Sequence, residues 1–244
     1  MRRYLGVLIG LWLLSAPLLT TAQQASLGSA ETHGAHKITL HVSVDASEAP
    51  DLGPWLQQAK DLCEAWYPKI TKLLASPGFT PPDHVTLRLH IMNGVAYTSG
   101  NVITISADYV RHHPDDLGMV IHELTHVVQS YPPSNAGWLV EGIADYVRFF
   151  FYEPKAPRPY IDLQKATYHD AYRTTAAFLA WASARYNKHL VQQLNQALRE
   201  GKFDISLFQK LTGKDVDTLW NEFVADIKAG KASRFVSNAP DMIK

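Results

Sequence analysis

Cysteine is nearly absent from this chain: Cys63 is the only one in 244 residues. No intramolecular disulfide can form, so the fold must rest on its apolar core. Cys63 lies in Leu62-Cys63-Glu64-Ala65-Trp66, a helical pattern, and reads as a small buried apolar residue rather than a nucleophile. An excess of either charge is also missing. Lysine plus arginine and aspartate plus glutamate both number 23, which leaves no electrostatic footprint for nucleic acid or for an acidic membrane surface. There is no internal repeat and no glycine-rich phosphate loop. Beyond the first residues, no run is apolar enough to span a bilayer. What the chain does have is core material. Hydrophobic residues make up 46% of it, enough for one substantial core, and one large domain is expected rather than two.

Arg2 and Arg3 precede an apolar stretch from Tyr4 to Leu14, and small residues follow up to Thr20-Thr21-Ala22. A basic head, a short apolar run and a small-residue end describe a secretory signal peptide over 1–22, cleaved after Ala22. Removing Arg2 and Arg3 takes the basic count from 23 to 21 against 23 acidic residues, a net charge of −2. Residues 23–36 show no periodicity and read as a disordered lead-in. A single domain is expected over 37–244, with a sheet and active-site-helix half at 37–130 and a helical half at 131–244. The protein is expected to be exported, periplasmic or secreted, without stable membrane insertion after cleavage, and monomeric.

Ile38 to Val44 and Val85 to Ile91 alternate apolar and polar residues and predict strands. Between them, Trp55 to Leu74 repeats apolar positions at helical spacing. Val95-Ala96-Tyr97-Thr98, a Ser99-Gly100 turn and Asn101 to Ser106 predict a hairpin. Asp115 or Asp116 is placed to cap the helix that follows. Gln129 to Gly137 predicts a loop, Trp138 to Phe151 a second helix, and three more helical patterns lie near 168–185, 187–199 and 215–229. Strands mixed with helices first, then helices alone, argue an α+β fold.

The chemistry is concentrated in His122-Glu123-Leu124-Thr125-His126. Residues i and i+4 share a helix face, so His122 and His126 can reach one metal, for which Zn²⁺ suits two imidazoles and a carboxylate with one position left for water. Glu123 sits beside that pair but off its face. It is placed to take a proton from the water that the metal activates. The apolar flanks Met119-Val120-Ile121 and Val127-Val128 bury the segment, and buried imidazole and carboxylate groups need partners. Glu141 and Asp145, again i and i+4, stand in a second apolar helix. Glu141 is the candidate third ligand. Asp145 can accept the free ring N–H of a ligand histidine. The metzincin alternative needs glycine at 129 and histidine at 132, but Gln129 and Pro132 are there, so the carboxylate-ligand class, the gluzincins, remains.

The run His122 to Gln129, the run Gly137 to Arg148 and the block Ala171 to Trp181 resemble the plant basic secretory protein family and its bacterial relatives. Ser106 to Tyr109 and Pro114 to Gly118 fit the same pattern, and the similarity extends over about residues 38 to 229. The resemblance implies a secreted zinc metallopeptidase with a gluzincin-like, zincin-type α+β fold, one zinc per chain, ligands His122, His126 and Glu141, and Glu123 as base. The name of that family says basic, whereas this chain is slightly acidic once its leader is removed, so charge-dependent partners do not carry over.

Hydrolysis of a peptide develops an oxyanion, and a hydrogen-bond donor aimed at it lowers the barrier. Tyr172, in the third similar block, is the first choice and His169 the second. Val95, Ala96, Tyr97 and Thr98 resemble the strand that binds substrate backbone in thermolysin-like enzymes, where a peptide is added as an extra strand. His112-His113 is read as loop, and Trp138 and Arg148 as structural. The leading expectation is an endopeptidase acting on peptide or protein. An aminopeptidase is weaker, because the Gly-x-Met-Glu-Asn motif that grips a free amine is absent and Gly94-Val95-Ala96-Tyr97-Thr98 stands in its region. A wall- or glycan-associated binding protein stabilised by zinc is the alternative from another class, and the presence of Glu123 argues against it.

Overall fold

A computed structural model describes residues 39–237. The leader expected over 1–22 and the lead-in over 23–36 lie outside the described residues. Among the described residues, no helix is long and apolar enough to cross a membrane.

Four strands form one mixed sheet: β1 (His41–Asp45), β2 (His84–His90), β3 (Ala96–Ser99) and β4 (Val102–Ser106), in the order β1-β2-β4-β3. β1 and β4 run parallel to β2, and β3 runs antiparallel to β4. Alternation sets the register. Val85, Leu87 and Leu89 of β2 and Ile103 and Ile105 of β4 are fully buried, so a slip of one residue would send these side chains to the wrong face. The hairpin turn is Gly100-Asn101, one residue later than Ser99-Gly100. Ser99 pairs with Val102, and Gly100 takes the positive φ of 57° at the first turn position, which favours glycine. The strand is therefore 96–99 rather than 95–98. Val95 lies just before it and accepts a bond from the Ser106 N–H at 2.9 Å. β3 is one of the two edge strands, β1 being the other, and among the described residues nothing pairs with its outer side.

Helix α1 (Gly53–Leu73) connects β1 to β2 and turns Trp55, Leu56, Ala59, Cys63, Tyr67 and Ile70 into the core. A six-residue helix, α2 (Ala107–His112), follows β4 directly, capped by the Ser106 hydroxyl at the Tyr109 N–H. It is too short for periodicity to reveal, and it puts His112 in a helix rather than in a loop. Helix α3 (Gly118–Gln129) carries the His-Glu-x-x-His segment and packs against α1 and β3. Its cap is indirect: Leu117 holds the cap position, and the carboxylate of Asp116 reaches past it to the Met119 N–H at 3.2 Å. Gln129 closes this helix instead of opening the loop, and Ser130 turns the chain in the left-handed region at φ 44°.

Helix α4 (Gly137–Val147) runs on into one π-helical turn, Arg148–Tyr152. After a proline-rich loop, the pattern near 168–185 resolves into a 3₁₀ turn at Tyr168–Asp170, a break at Ala171, and α5 (Tyr172–Arg185). Three further helices complete the described chain: α6 (Leu190–Arg199), α7 (Leu207–Thr212) and α8 (Val216–Lys228). α4 and α5 approach closely because Gly142 has no side chain. A Cβ there would lie 2.2 Å from Cγ2 of Thr175. At the far end, Arg199 collects the final carbonyls of two helices, donating to Val128 at 3.0 Å, Gln129 at 3.2 Å and Leu74 at 2.9 Å. A guanidinium placed against helix C-termini is favoured by their partial negative charge. The whole is an α+β fold, with the mixed sheet and α3 in the N-terminal part and helices alone beyond it, as the order of patterns leads one to expect.

Candidate metal centre and active site

The helical repeat places His122 and His126 one turn apart on α3, and α4 crosses that face with Glu141 and Asp145 one turn apart in turn. The result is a convergence of three atoms. His122 Nε2 lies 3.0 Å from His126 Nε2 and 3.0 Å from Oε2 of Glu141, and His126 Nε2 lies 3.4 Å from the same oxygen.

The outer hydrogen bonds decide what those atoms present. His122 Nδ1 stands 2.6 Å from Oδ1 of buried Asp145, a pure acceptor when ionised, so Nδ1 carries the proton. His126 Nδ1 stands 2.7 Å from Oε1 of Gln129. The amide of Gln129 is fixed by its own N–H₂, which donates to the Val140 carbonyl at 3.0 Å, so its oxygen faces the ring and His126 Nδ1 must donate as well. When both rings are neutral, as metal binding requires, their Nε2 atoms offer lone pairs, and a carboxylate oxygen offers a third. Three acceptors this close repel one another unless a cation lies between them. Bonds of 2.0–2.1 Å in tetrahedral geometry separate neighbouring ligand atoms by about 3.3 Å, and the three observed separations bracket that value. His122, His126 and Glu141 fit a metal ion in donor type and in spacing.

Without a metal, a proton on His122 takes the place of the cation. Burial alone would lower the His122 pKa. The carboxylates of Asp145 and Glu141 outweigh it and raise the value to about 9. Burial would raise Glu141, but hydrogen bonds from His122 and His126 hold it down at about 2.

Glu123 is buried beside the triad without being part of it. Its Oε2 accepts from the Thr98 hydroxyl at 2.7 Å, and the same hydroxyl lies 3.1 Å from the Glu123 carbonyl oxygen. Tyr172 stands at the lip, 55% exposed, with its ring stacked over that of His122 at 6.1 Å between centroids and 22° between planes. Ala171 and Tyr172 both have positive φ, 61° and 44°, which L-residues rarely adopt, and this kink brings the ring over the site. The negative charge of Glu141, followed by burial, raises the Tyr172 pKa, so the phenol keeps its proton. His169 instead stacks on Trp138 at 5.2 Å, where its role is packing.

His122, Glu123, His126, Glu141, Asp145 and Tyr172 line one cleft of about 1080 Å³, and His169 is not among its lining residues. Val95, Ala96, Tyr97 and Thr98 form part of one wall, and Arg148, Phe149, Tyr172 and Arg173 part of another. Arg148 is tied to Asp116 at 2.6 Å and to Glu153 at 3.1 Å, so its charge is neutralised by the fold. One participant, Gln129, and one contact, that of Thr98 with the base candidate, escaped the sequence reading. Gln129 was legible in principle, since it lies three residues after His126 on one helix face. The contact of Thr98 with Glu123 spans 25 residues and had no local signal.

Comparison with known proteins places these features in a family. Among solved structures, the chain is similar to an M1 zinc metallopeptidase of Deinococcus radiodurans, in a point mutant bound to a Tyr-Ser-Ala substrate, at 14% identity and TM-score 0.37, over 73% of this chain and 44% of that one. For a further structure of an M1 zinc metallopeptidase from that organism the values are 15%, 0.32, 70% and 42%. The chain thus spans less than half the length of the solved structures it matches. No curated protein is similar enough in sequence to count as a relative. The family model described as BSP, peptidase of plants and bacteria, matches residues 45–223, a span that includes the triad, Glu123, Thr98 and Tyr172. This chain belongs to that peptidase family.

Proposed function

We propose that this protein is an exported zinc-dependent endopeptidase that works as a monomer with one zinc per chain, held by His122, His126 and Glu141. The observation that carries the reading is the meeting of three lone pairs at one point with the Glu123 carboxylate beside them. Zinc bound there supplies a Lewis acid and brings the pKa of a coordinated water toward neutrality.

The protein's own groups do the rest. Glu123 accepts the proton of the attacking water and passes it to the nitrogen of the leaving amine. Tyr172 donates its phenolic hydrogen to the oxygen on which negative charge develops, a role its retained proton allows. Asp145 and Gln129 fix both histidines in the tautomer that leaves Nε2 free. The open side of β3, with Val95 to Thr98, offers backbone groups on which an extended peptide can pair.

Internal cleavage is favoured over removal of the first residue. The carboxylates lining the cleft are Glu123, Glu141 and Asp145. In this reading all three are committed to the metal, its ligand histidine or the water, and among the described residues no further carboxylate lines the cleft to grip a free amine.

The test is Glu123→Gln, assayed on a mixed peptide library with products sequenced by mass spectrometry. Zinc content and melting temperature should stay at the wild-type level while turnover falls by at least ~10²–10⁴-fold. Wild-type products should derive from internal bonds. A zinc-loaded wild type that cleaves nothing, or a Glu123→Gln variant with full activity, would refute the proposal.

A further inference from the structure

We infer that Thr98 is a positioning residue for Glu123: its hydroxyl holds one carboxylate oxygen so that the other faces the attacking water. The inference rests on the reading of Glu123 as the base.

A carboxylate on a two-carbon stem rotates about its last bond, and only some orientations present a lone pair to the reacting centre. Fixing that rotation beforehand removes a cost otherwise met at every turnover. Thr98 Oγ lies 2.7 Å from Glu123 Oε2, the separation of a short hydroxyl–carboxylate bond, and the hydroxyl has a single hydrogen to give. With the 3.1 Å contact to the Glu123 carbonyl oxygen, it touches both the side chain and the helix backbone of the same residue. The hydroxyl thus measures the carboxylate against α3 itself.

The position of Thr98 is as telling as its distance. Along β3, Ala96 and Thr98 turn toward α3 while Tyr97 and Ser99 face solvent, and Thr98 is pinned in register opposite Ile103. β3 is also an edge strand, and among the described residues nothing pairs with its outer side. A peptide paired on that edge and the base that attacks it are therefore referenced to one element. Thr98 acts on the base rather than on the substrate, so its loss should appear in kcat and leave KM nearly alone.

Thr98→Val keeps the size and the strand preference and deletes the donor. We expect kcat to fall about 10- to 100-fold, KM to change by less than about twofold, and zinc content and melting temperature to hold. Thr98→Ser, which restores the hydroxyl alone, should return kcat to within a few-fold of wild type. Should valine unfold the hairpin, Thr98→Ala is read in the same way. Thr98→Val at wild-type kcat beside an inactive Glu123→Gln would overturn this inference and leave the base assignment standing. So would a Thr98→Ser variant as slow as Thr98→Val. An active Glu123→Gln would bring down both.

Discussion

The Nδ1 atom of His122 and the Oδ1 atom of Asp145 lie 2.6 Å apart across the α3–α4 contact, both buried. The bond sets the tautomer of the ring and fixes its plane, and the charge of Asp145 raises the basicity of Nε2. Asp145→Asn keeps the shape and can keep an acceptor oxygen, but it removes the charge. Zinc affinity or activity should weaken by about 10- to 100-fold with no ligand lost. A zinc titration by chelator competition reads it, and an asparagine variant equal to wild type would deny Asp145 this function.

His126→Ala should strip the metal altogether. It removes one of the three proposed ligand atoms and leaves the buried Gln129 Oε1 without its donor. Elemental analysis should give one zinc per wild-type chain and essentially none in the variant. Because structural and catalytic ions both add their binding energy to folding, the melting temperature should fall to that of chelator-treated wild type. If wild type purified without chelator lacks stoichiometric zinc, the assignment of the triad fails.

The legible parts of this molecule are those with a period. The alternation of Val85, Leu87 and Leu89 and the helical spacing of Trp55, Ala59 and Cys63 both appear in the structure as buried faces. So does the four-residue spacing of His122 and His126, which brings two ring nitrogens within 3.0 Å. What stayed hidden has other causes. α2 and α7 have six residues each, less than two turns, which is too short for a pattern. Ser99 has the composition of a turn residue but pairs with Val102, because glycine at 100 better meets the need for positive φ. The kink at Ala171 breaks what reads as one helix, and a residue with a side chain gives no warning of φ 61°. Thr98 meets Glu123 only through the packing of β3 on α3.

Cys63 provides a test of burial. It is fully enclosed in α1, and burial followed by the nearby charge of Glu64 pushes its thiol from 9.0 up to about 12. The folded state therefore favours the protonated form. Its contribution to stability is complete below pH 9, and it is lost as pH rises from about 9 through about 12, where the unfolded chain binds fewer protons than the folded one. Two measurements follow. An aromatic disulfide reagent at pH 8 should leave the native protein unlabelled and modify one thiol per chain after unfolding. Denaturant stability should also begin to slope downward above pH 9. Rapid labelling of the native protein would contradict the enclosure of Cys63.

Gly142 stands between the proposed ligand Glu141 and the residue proposed to hold the oxyanion, and it joins them mechanically. It follows Glu141 directly on α4, and the space its missing side chain leaves is filled by Thr175 of α5, three residues after Tyr172. A Cβ at 142 would meet Thr175 Cγ2 at 2.2 Å and Cβ at 2.7 Å, contacts that no rotation of a buried side chain relieves. The Thr175 hydroxyl is itself committed, donating to the Tyr168 carbonyl at 2.8 Å, so α5 has to shift as a body and carry Tyr172 with it. Overpacking of this kind costs about 1–3 kcal/mol, more than alanine returns through its helix preference over glycine. Gly142→Ala should therefore lower the melting temperature and reduce kcat while zinc stays bound, because His122, His126 and Glu141 all lie on the α3–α4 side of the contact. Thr175→Ser in the same chain removes the 2.2 Å contact and keeps the hydroxyl bond, so the double variant should recover part of both losses. Coupling between the two positions, measured as a double-mutant cycle on melting and on kcat, is the quantity to read. A Gly142→Ala variant as stable and as fast as wild type would show that α4 and α5 have room to part, and that the placement of Tyr172 does not depend on their closeness.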